Sequence, residues 1–428
     1  MKIEATGGIT YADSMISQIK QYYTEVFQRI TEKHVGCFKG MERPLFLIST
    51  QYPGLWMEHV YDSIFLARLD PSFVPIAENA INLFIDKQRD DGQLPFRVMD
   101  GNKVDIDPDD ESVLYTQIQE CVSFFTLALE VYEMNGDARF LEKAYNAGKR
   151  WDEWLRAHRM TTKRGLIEMF VGFDTGHDNS GRLEGMSCHG NYCIDGVPQN
   201  AAILPPDDGI TPILAVDMNC NFYGNERALA KMARILGKNG EAEAWERSAA
   251  EIKSKIFEHC YDEKDAFFYD VDRNGSKRRY RSSTIFHLFI ERVLDKDTDR
   301  ELIDRIYKEH IKNPDEFWTA YPFPSMAVND ASVKDHVEFN SWGYYTQGLI
   351  VLRCSRWMDY YGYGADYDYI LGKWLEAWTT HYGTIKFAQE IDPVSGEPTR
   401  SSEWYSSCML DYVYAARRLG VVDAEKAQ

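Results

Sequence analysis

Val131-Tyr-Glu-Met-Asn-Gly-Asp-Ala-Arg-Phe-Leu141 sets a helix start signal, Asn135-Gly-Asp137, between two stretches of helical apolar periodicity, and that pairing decides the fold class. The stretches run over 111–134 and 138–158. Joined by so short a turn, they read as a helical hairpin.

Outward from this junction the same pattern recurs in pairs, predicting further helices over 13–33, 55–68, 72–89, 213–236, 240–258, 283–293, 298–308, 342–361, 366–379 and 403–419. Asp70-Pro-Ser72 and Asp109-Asp-Glu-Ser112 are further start signals, and Gly92, Gly237 and Gly420 are stops that follow basic or polar last turns. Twelve helices in sequential hairpins, with no β runs of comparable weight, predict an all-α (α/α)6 toroid of six inner and six outer helices, formed as one catalytic domain over 1–428. An open solenoid is disfavoured, because no motif repeats at fixed period and the connections are long. Such long loops on one rim would build a pocket.

The apolar fraction of 44% is evenly spread and no Pro/Gly/Ser-rich linker divides the chain. A net charge of -19 argues against nucleic acid or an anionic membrane as partner, since both are polyanions. Aromatics at 14% suit a surface that stacks on sugar rings. Met1-Lys-Ile-Glu-Ala-Thr-Gly-Gly lacks the pattern of a secretory signal, and no apolar run is long enough to cross a bilayer, so the expectation is a cytoplasmic protein. The eight cysteines, scattered without repeating spacing, read as mostly buried thiols. Cys188-His189 with Cys193 supplies three potential ligands where structural zinc needs four, and no metal or cofactor is expected.

The chemistry concentrates in Gly172-Phe-Asp-Thr-Gly-His-Asp-Asn-Ser-Gly-Arg182, where two carboxylates, an imidazole and a guanidinium crowd a segment rich in backbone-bending residues. Asp174 and Asp178 both stand among glycines that let the backbone turn a carboxyl into a cavity. The competing reading is an ordinary polar surface turn. Ser49-Thr-Gln-Tyr-Pro-Gly-Leu-Trp-Met-Glu-His-Val-Tyr-Asp-Ser63 packs polar and aromatic residues into a helix entry, with Tyr52, Trp56 and Asp62 as sugar contacts or as core. Asp105-Ile-Asp-Pro-Asp-Asp-Glu111 imitates a calcium loop but lacks its glycine and final glutamate, so it reads as loop and helix cap. Gln117 follows as an amide contact or an exposed helical residue. Asp217 and Asn219, beside an apolar run, either bind substrate or hold the opposite loop. Trp318-Thr-Ala-Tyr-Pro-Phe-Pro-Ser325 and Asn340-Ser-Trp-Gly-Tyr-Tyr-Thr-Gln347 are aromatic helix entries, the second bringing Trp342, Tyr345 and Gln347. Phe387-Ala-Gln-Glu-Ile-Asp-Pro-Val-Ser-Gly396 is a short extended segment, followed by Glu403-Trp404.

In this order the motifs resemble the (α/α)6 inverting α-glycosidases that include the mannosylglycerate and glucosylglycerate hydrolases and processing α-glucosidase I, and more distantly the trehalases. Tyr52-Pro-Gly-Leu-Trp56 with Tyr61-Asp-Ser63, Thr116-Gln117, Gly176-His-Asp-Asn-Ser180, Val216-Asp-Met-Asn219, Trp342-Gly343, Glu390-Ile-Asp-Pro-Val-Ser-Gly396 and Trp404-Tyr-Ser-Ser407 carry the likeness across most of the chain. The resemblance implies Asp178 as general acid and Glu390 as general base. The arginine expected before Gly343 is absent, Gln389-Glu390-Ile391 lacks the usual aromatic, and Gln117-Ile-Gln119 replaces a Gln-Pro-Pro.

Two carboxyls on opposite sides of a glycosidic bond are what inverting hydrolysis requires. Asp174 is the competing acid and Glu403 the competing base. Arg182 is expected to orient a substrate hydroxyl or an anionic aglycone, and His177 to be a structural or subsite residue rather than a proton carrier. The expected partner is a small carbohydrate, a glucosyl- or mannosylglycerate-like glycoside or an α-linked disaccharide, with the oligomeric state left open. The rival classes are a sugar epimerase or polysaccharide lyase on the same toroid, which rely on His or Tyr, and a non-catalytic sugar binder.

Overall fold

Asp137 accepts hydrogen bonds from the backbone N–H groups of Arg139 at 2.8 Å and Phe140 at 3.3 Å, while Gly136 before it closes the previous helix at φ 68°. The hairpin read at this junction is therefore built from a left-handed stop and a side-chain cap. The computed structural model describes residues 9–49, 51–102, 113–187, 200–204, 208–335 and 342–423. The calcium-like stretch Asp105–Glu111 and the Cys188, His189 and Cys193 group lie outside these residues.

Among the described residues there are twelve α-helices: α1 Asp13–Lys33, α2 Val60–Leu69, α3 Val74–Ile85, α4 Phe124–Asn135, α5 Ala138–His158, α6 Val216–Ile235, α7 Asn239–Cys260, α8 His287–Ile290, α9 Arg300–Ile306, α10 Gly348–Arg353, α11 Gly364–His381 and α12 Ser406–Arg418. They form an (α/α)6 toroid. The even-numbered helices make the inner ring, with α2 on α4, α4 on α6, α6 on α8 and α10 on α12, and α12 returns to close on α2. Outside them α3 packs on α2, α5 on α4, α7 on α6 and α11 on α12, and α1 covers α12.

Burial follows this layering. In α1 the buried residues Ile16, Ile19, Tyr23, Val26 and Ile30 recur every three or four positions, a single apolar stripe of an outer helix. Each buried aliphatic side chain there is worth roughly 1.5–3 kcal/mol relative to exposure. In α10 every residue is buried, as befits a helix covered all round. Close packing between hairpins also needs a small residue. At Gly148 on α5 a Cβ would stand 2.5 Å from Leu229 of α6 and 3.1 Å from Phe125 of α4.

The helix reading fails at the entries to the inner ring, and always by starting too early. Val113–Leu114 is instead the edge of a three-stranded sheet with Arg97–Met99 and Gly54–Trp56, so the helix expected from 111 begins at Phe124 and the one expected from 55 begins at Val60. Backbone donors that a helix would use go elsewhere: Ile118 N–H bonds to the Asp174 carboxylate and Glu120 N–H to the Asp174 carbonyl. Likewise Thr346–Gln347 pairs antiparallel with Glu390–Ile391, which delays the helix expected from 342 to Gly348. These unwound entries converge on one rim.

Among the described residues no helix is long and apolar enough to cross a membrane, and no group of three or more His, Cys, Asp or Glu is placed to hold a metal ion.

Candidate active site

The 172–182 loop is pinned at both ends by buried ion pairs. Before the bend, the Asp174 carboxylate accepts from Arg159 at 2.7 and 3.3 Å and from the backbone N–H groups of Ile118, Phe170 and Val171 at 2.8–3.1 Å. After it, the Arg182 guanidinium reaches Asp217 and Asp270, the latter at 2.9 Å. All five of these charged side chains are almost wholly buried. A buried charge of this kind is tolerated because an opposite charge pairs with it.

Between the two anchors the backbone turns at Gly176, φ 69°, and at Asn179, φ 57°. Gly176 is required for closeness as well as conformation, since a Cβ there would stand 3.0 Å from the Glu58 carboxylate. The turn leaves Asp178 half-buried on the wall of a pocket of about 290 Å³. Its carbonyl accepts from the Trp342 N–H at 2.9 Å, and the Trp342 ring stacks on His177 at 4.3 Å with 12° between planes.

Tyr52, Trp56, Phe96, Phe173, Trp342 and Tyr405 supply aromatic walls to this pocket. Gln117, Gln119, Gln389, Glu58 and Arg97 supply its polar groups beside Asp178. Tyr52 links both sides, donating its hydroxyl to Gln389 at 3.1 Å while its ring meets Trp56 edge-on at 5.2 Å. Burial first, then the charges of Asp178, Glu58 and Glu390, push the Tyr52 phenol above its ordinary range. Three carboxyls therefore surround one pocket hydroxyl.

Glu390 follows Gln389 and is completely buried rather than on the pocket wall. Its carboxylate accepts from the Gln347 amide across the short ladder. Gln347 thus holds Glu390, and like Glu390 it stands behind the wall residues rather than among them.

Several other expected contacts are also relocated. Arg182 is consumed by Asp217 and Asp270, so neither it nor Asp217 faces the pocket; Asp217 holds the loop, and Asn219 brackets the Ile167 backbone ahead of it. Asp174 has its acceptors filled and is structural. His177 sits behind Trp342, kept well below its usual pKa by burial and by Arg182, and carries no charge. Asp62 is buried one helical turn below the pocket, accepting from Ser406 and pushed up to about 7 by burial. Trp404 packs on Phe387 and under Arg29 at 4.0 Å, away from the pocket. Tyr345 uses its carbonyl to hold Ser325 and is not on the wall. Gln117, by contrast, is on the pocket wall, buried and non-helical, its amide donating to the Phe173 carbonyl at 3.4 Å. Glu403 lines an adjoining cavity of about 550 Å³ with Arg400 and Ser401, which shares Tyr52 and Gln389 with the pocket of Asp178.

The sequence reading passed over Glu58, His59, Phe96, Arg97, Gln119, Phe173, Gln389 and Tyr405 as pocket residues. Glu58, His59, Gln389 and Tyr405 lay within the stretches already quoted, whereas nothing local marks Phe96 or Arg97. His59 is hydrogen-bonded to the Tyr405 hydroxyl at 2.6 Å, and burial with Arg353 nearby depresses it to about 3. It is a neutral imidazole, not a proton carrier at neutral pH. A larger cavity, about 410 Å³, opens on the opposite rim, where Glu130 is paired with the guanidiniums of both Arg68 and Arg356, but none of the loop motifs reaches it.

Residues 57–406 match the family model of the mannosylglycerate hydrolase MGH1-like glycoside hydrolase domain. Among solved structures, the mannosylglycerate hydrolase of Thermus thermophilus in complex with glucose superposes with a TM-score of 0.66 at 16% identity, over 92% of this chain and 99% of that one. The same enzyme with Tris and D-glycerate gives 0.66 at 15% identity, over 92% and 99%. The neutral trehalase of Saccharomyces cerevisiae gives 0.66 at 12% identity, over 88% of this chain and 74% of that one. At these identities the likeness is one of fold. An uncharacterized protein of Borreliella burgdorferi is 22% identical over 180 residues, 42% of this chain and 36% of that protein, so the match spans little more than a third of the relative.

Proposed function

The chain belongs to the family of mannosylglycerate hydrolase-like glycoside hydrolases, and from that premise we propose that it cleaves a small soluble α-glycoside with inversion, Asp178 serving as general acid and Glu390 as general base. The observation that carries the assignment of the acid is the loop itself: of its ionisable groups, Asp174 and Arg182 are locked into buried ion pairs and His177 is hidden behind Trp342, while Asp178 alone reaches the pocket.

In this mechanism Asp178 gives its proton to the glycosidic oxygen as the bond to the anomeric carbon breaks. Glu390 takes a proton from the water that attacks that carbon from the opposite face. The two carboxyls then stand roughly 6.5–9.5 Å apart, with the water between them. Tyr52, whose phenol is raised by both carboxyls as well as by Glu58, supports their nearness to one wall of the pocket. The Gln347 amide fixes the Glu390 carboxylate.

A pocket of about 290 Å³ with six aromatic side chains suits one sugar and a small leaving group rather than a polymer. Glucosyl- or mannosylglycerate-like compounds and α-linked disaccharides are the substrates this reading favours. The neutral, buried His59 and His177 weigh against an epimerase or lyase that moves protons through histidine. Incubation of the protein with a panel of α-linked disaccharides, glycosylglycerates and long α-glucans tests the reading. Release of free sugar from a short glycoside, faster than from any glucan, is the expected result; an epimerised or unsaturated product, or a preference for the polymer, overturns it.

A further inference from the structure

Glu58 is held differently from Asp174 and Glu390. Asp174 accepts from five donors at 3.3 Å or less, and the Glu390 carboxylate is held by Gln347. Glu58 is just as deeply placed, 7% exposed, yet among the described residues its carboxyl meets Arg353 Nη2 at 3.5 Å, the Cys121 thiol, a weak donor, at 3.8 Å and His59 Nδ1 at 3.8 Å. A carboxyl taken out of water without close partners is costly unless something else completes its shell.

The direction in which it opens is the pocket. Glu58 sits in the turn Met57–His59, whose backbone is fixed by Met57 N–H to the Phe96 carbonyl at 3.0 Å and Glu58 N–H to Gln119 at 3.3 Å. The carboxyl lies against Gly176, two residues from Asp178, and both are on the pocket wall. Behind it Arg353, 3% exposed, has Nε and Nη2 without hydrogen-bond partners among the described residues. An under-coordinated carboxyl in front of an under-coordinated guanidinium, at the floor of a sugar-sized pocket, is a site prepared for a polar group from the ligand.

We propose that Glu58 is a specificity-determining residue of this pocket: its carboxyl, backed by Arg353, binds a hydroxyl of the sugar whose glycosidic bond is cleaved. The inference rests on the functional reading above and deepens it. Burial pushes Glu58 up to about 8, against the pull of Arg353 and with a further push from Asp178, so near neutral pH the group holds a proton and both donates to and accepts from a hydroxyl. A purely structural ion pair has no reason to discriminate one sugar hydroxyl from the next.

The test uses the best α-glycoside and its monodeoxy analogues, with the unsubstituted protein, Glu58→Gln and Glu58→Asp. The unsubstituted protein should lose about three- to tenfold in kcat/KM on removal of one particular hydroxyl, the range expected for a hydrogen bond between neutral groups. Glu58→Gln should lose a similar factor on the parent glycoside and show no further loss on that one analogue. Glu58→Asp, which keeps the carboxyl but withdraws it, should repeat this pattern and serves alone if the glutamine variant does not fold. An equal loss on every analogue for both variants, or no loss at all, overturns the assignment of Glu58 while leaving the glycosidase reading intact. Absence of turnover by the unsubstituted protein overturns that reading and the assignment together.

Discussion

Gln347 and Glu390 stand opposite one another in a two-residue antiparallel ladder, and the Gln347 amide donates to the Glu390 carboxylate in a site where both side chains are completely buried. The backbone pairing fixes where the two side chains meet, and the amide fixes how the carboxylate points. If Glu390 is the base, Gln347 is its positioning residue. Gln347→Ala should lower kcat by about ten- to a hundredfold with KM nearly unchanged, since small misplacements of a catalytic group cost factors of this size. Steady-state kinetics check it. A raised KM at normal kcat would return Gln347 to the role of a sugar contact.

Asp178 is expected to matter in proportion to how poor the leaving group is. Asp178→Asn should abolish turnover of natural glycosides and spare activated aryl glycosides, which leave without protonation. Equal loss on both substrate types would remove Asp178 from the acid role.

Asp174 should fail differently. Five donors, two of them nitrogens of the buried Arg159 guanidinium, lose their acceptor charge in Asp174→Asn, and breaking a buried pair costs about 3–5 kcal/mol. Denaturant unfolding should show a loss of that order for the variant. Full stability with dead chemistry would make Asp174 the acid after all.

The elevated Glu58 gives a pH signature with a definite sign. The folded protein keeps its proton to about pH 8, whereas the unfolded chain releases it near the ordinary glutamate value, so this group's stabilisation is fully present at acid pH and is lost as pH rises toward 8. Arg353, Asp178, Asp62, Cys121 and His59 face it, and all remain in the variant. Glu58→Gln stays neutral throughout. Its unfolding free energy relative to the unsubstituted protein should therefore rise by up to about 1.4 kcal/mol per pH unit between pH 5 and 8. A difference independent of pH would mean that Glu58 is ionised in the fold.

The hairpins were legible because their signals are local. The stripe Ile16, Ile19, Tyr23, Val26, Ile30 and the Asp137 cap need no distant partner, and α1 and α5 begin and end where periodicity places them. The entries to the inner ring were not, because strands of two or three residues have no period, and their pairing partners lie tens of residues away. Glu58 shows the consequence. Four residues from Asp62, it would share a face with it on a regular helix; the helix instead begins at Val60, which leaves Glu58 in the preceding turn on the pocket wall and Asp62 inside the ring with Ser406. Arg182 was misread for a related reason. Its partners Asp217 and Asp270 are 35 and 88 positions away, and only the fold brings them together.

The stereochemistry of the first-formed sugar tests the central claim most directly. Proton NMR, recorded before mutarotation, should show the β-anomer released from an α-glycoside, because water activated by Glu390 attacks the face opposite the bond that Asp178 protonates. A retained α-anomer would contradict the account: a carboxylate would then have acted as nucleophile, and the division of labour between Asp178 and Glu390 would be wrong.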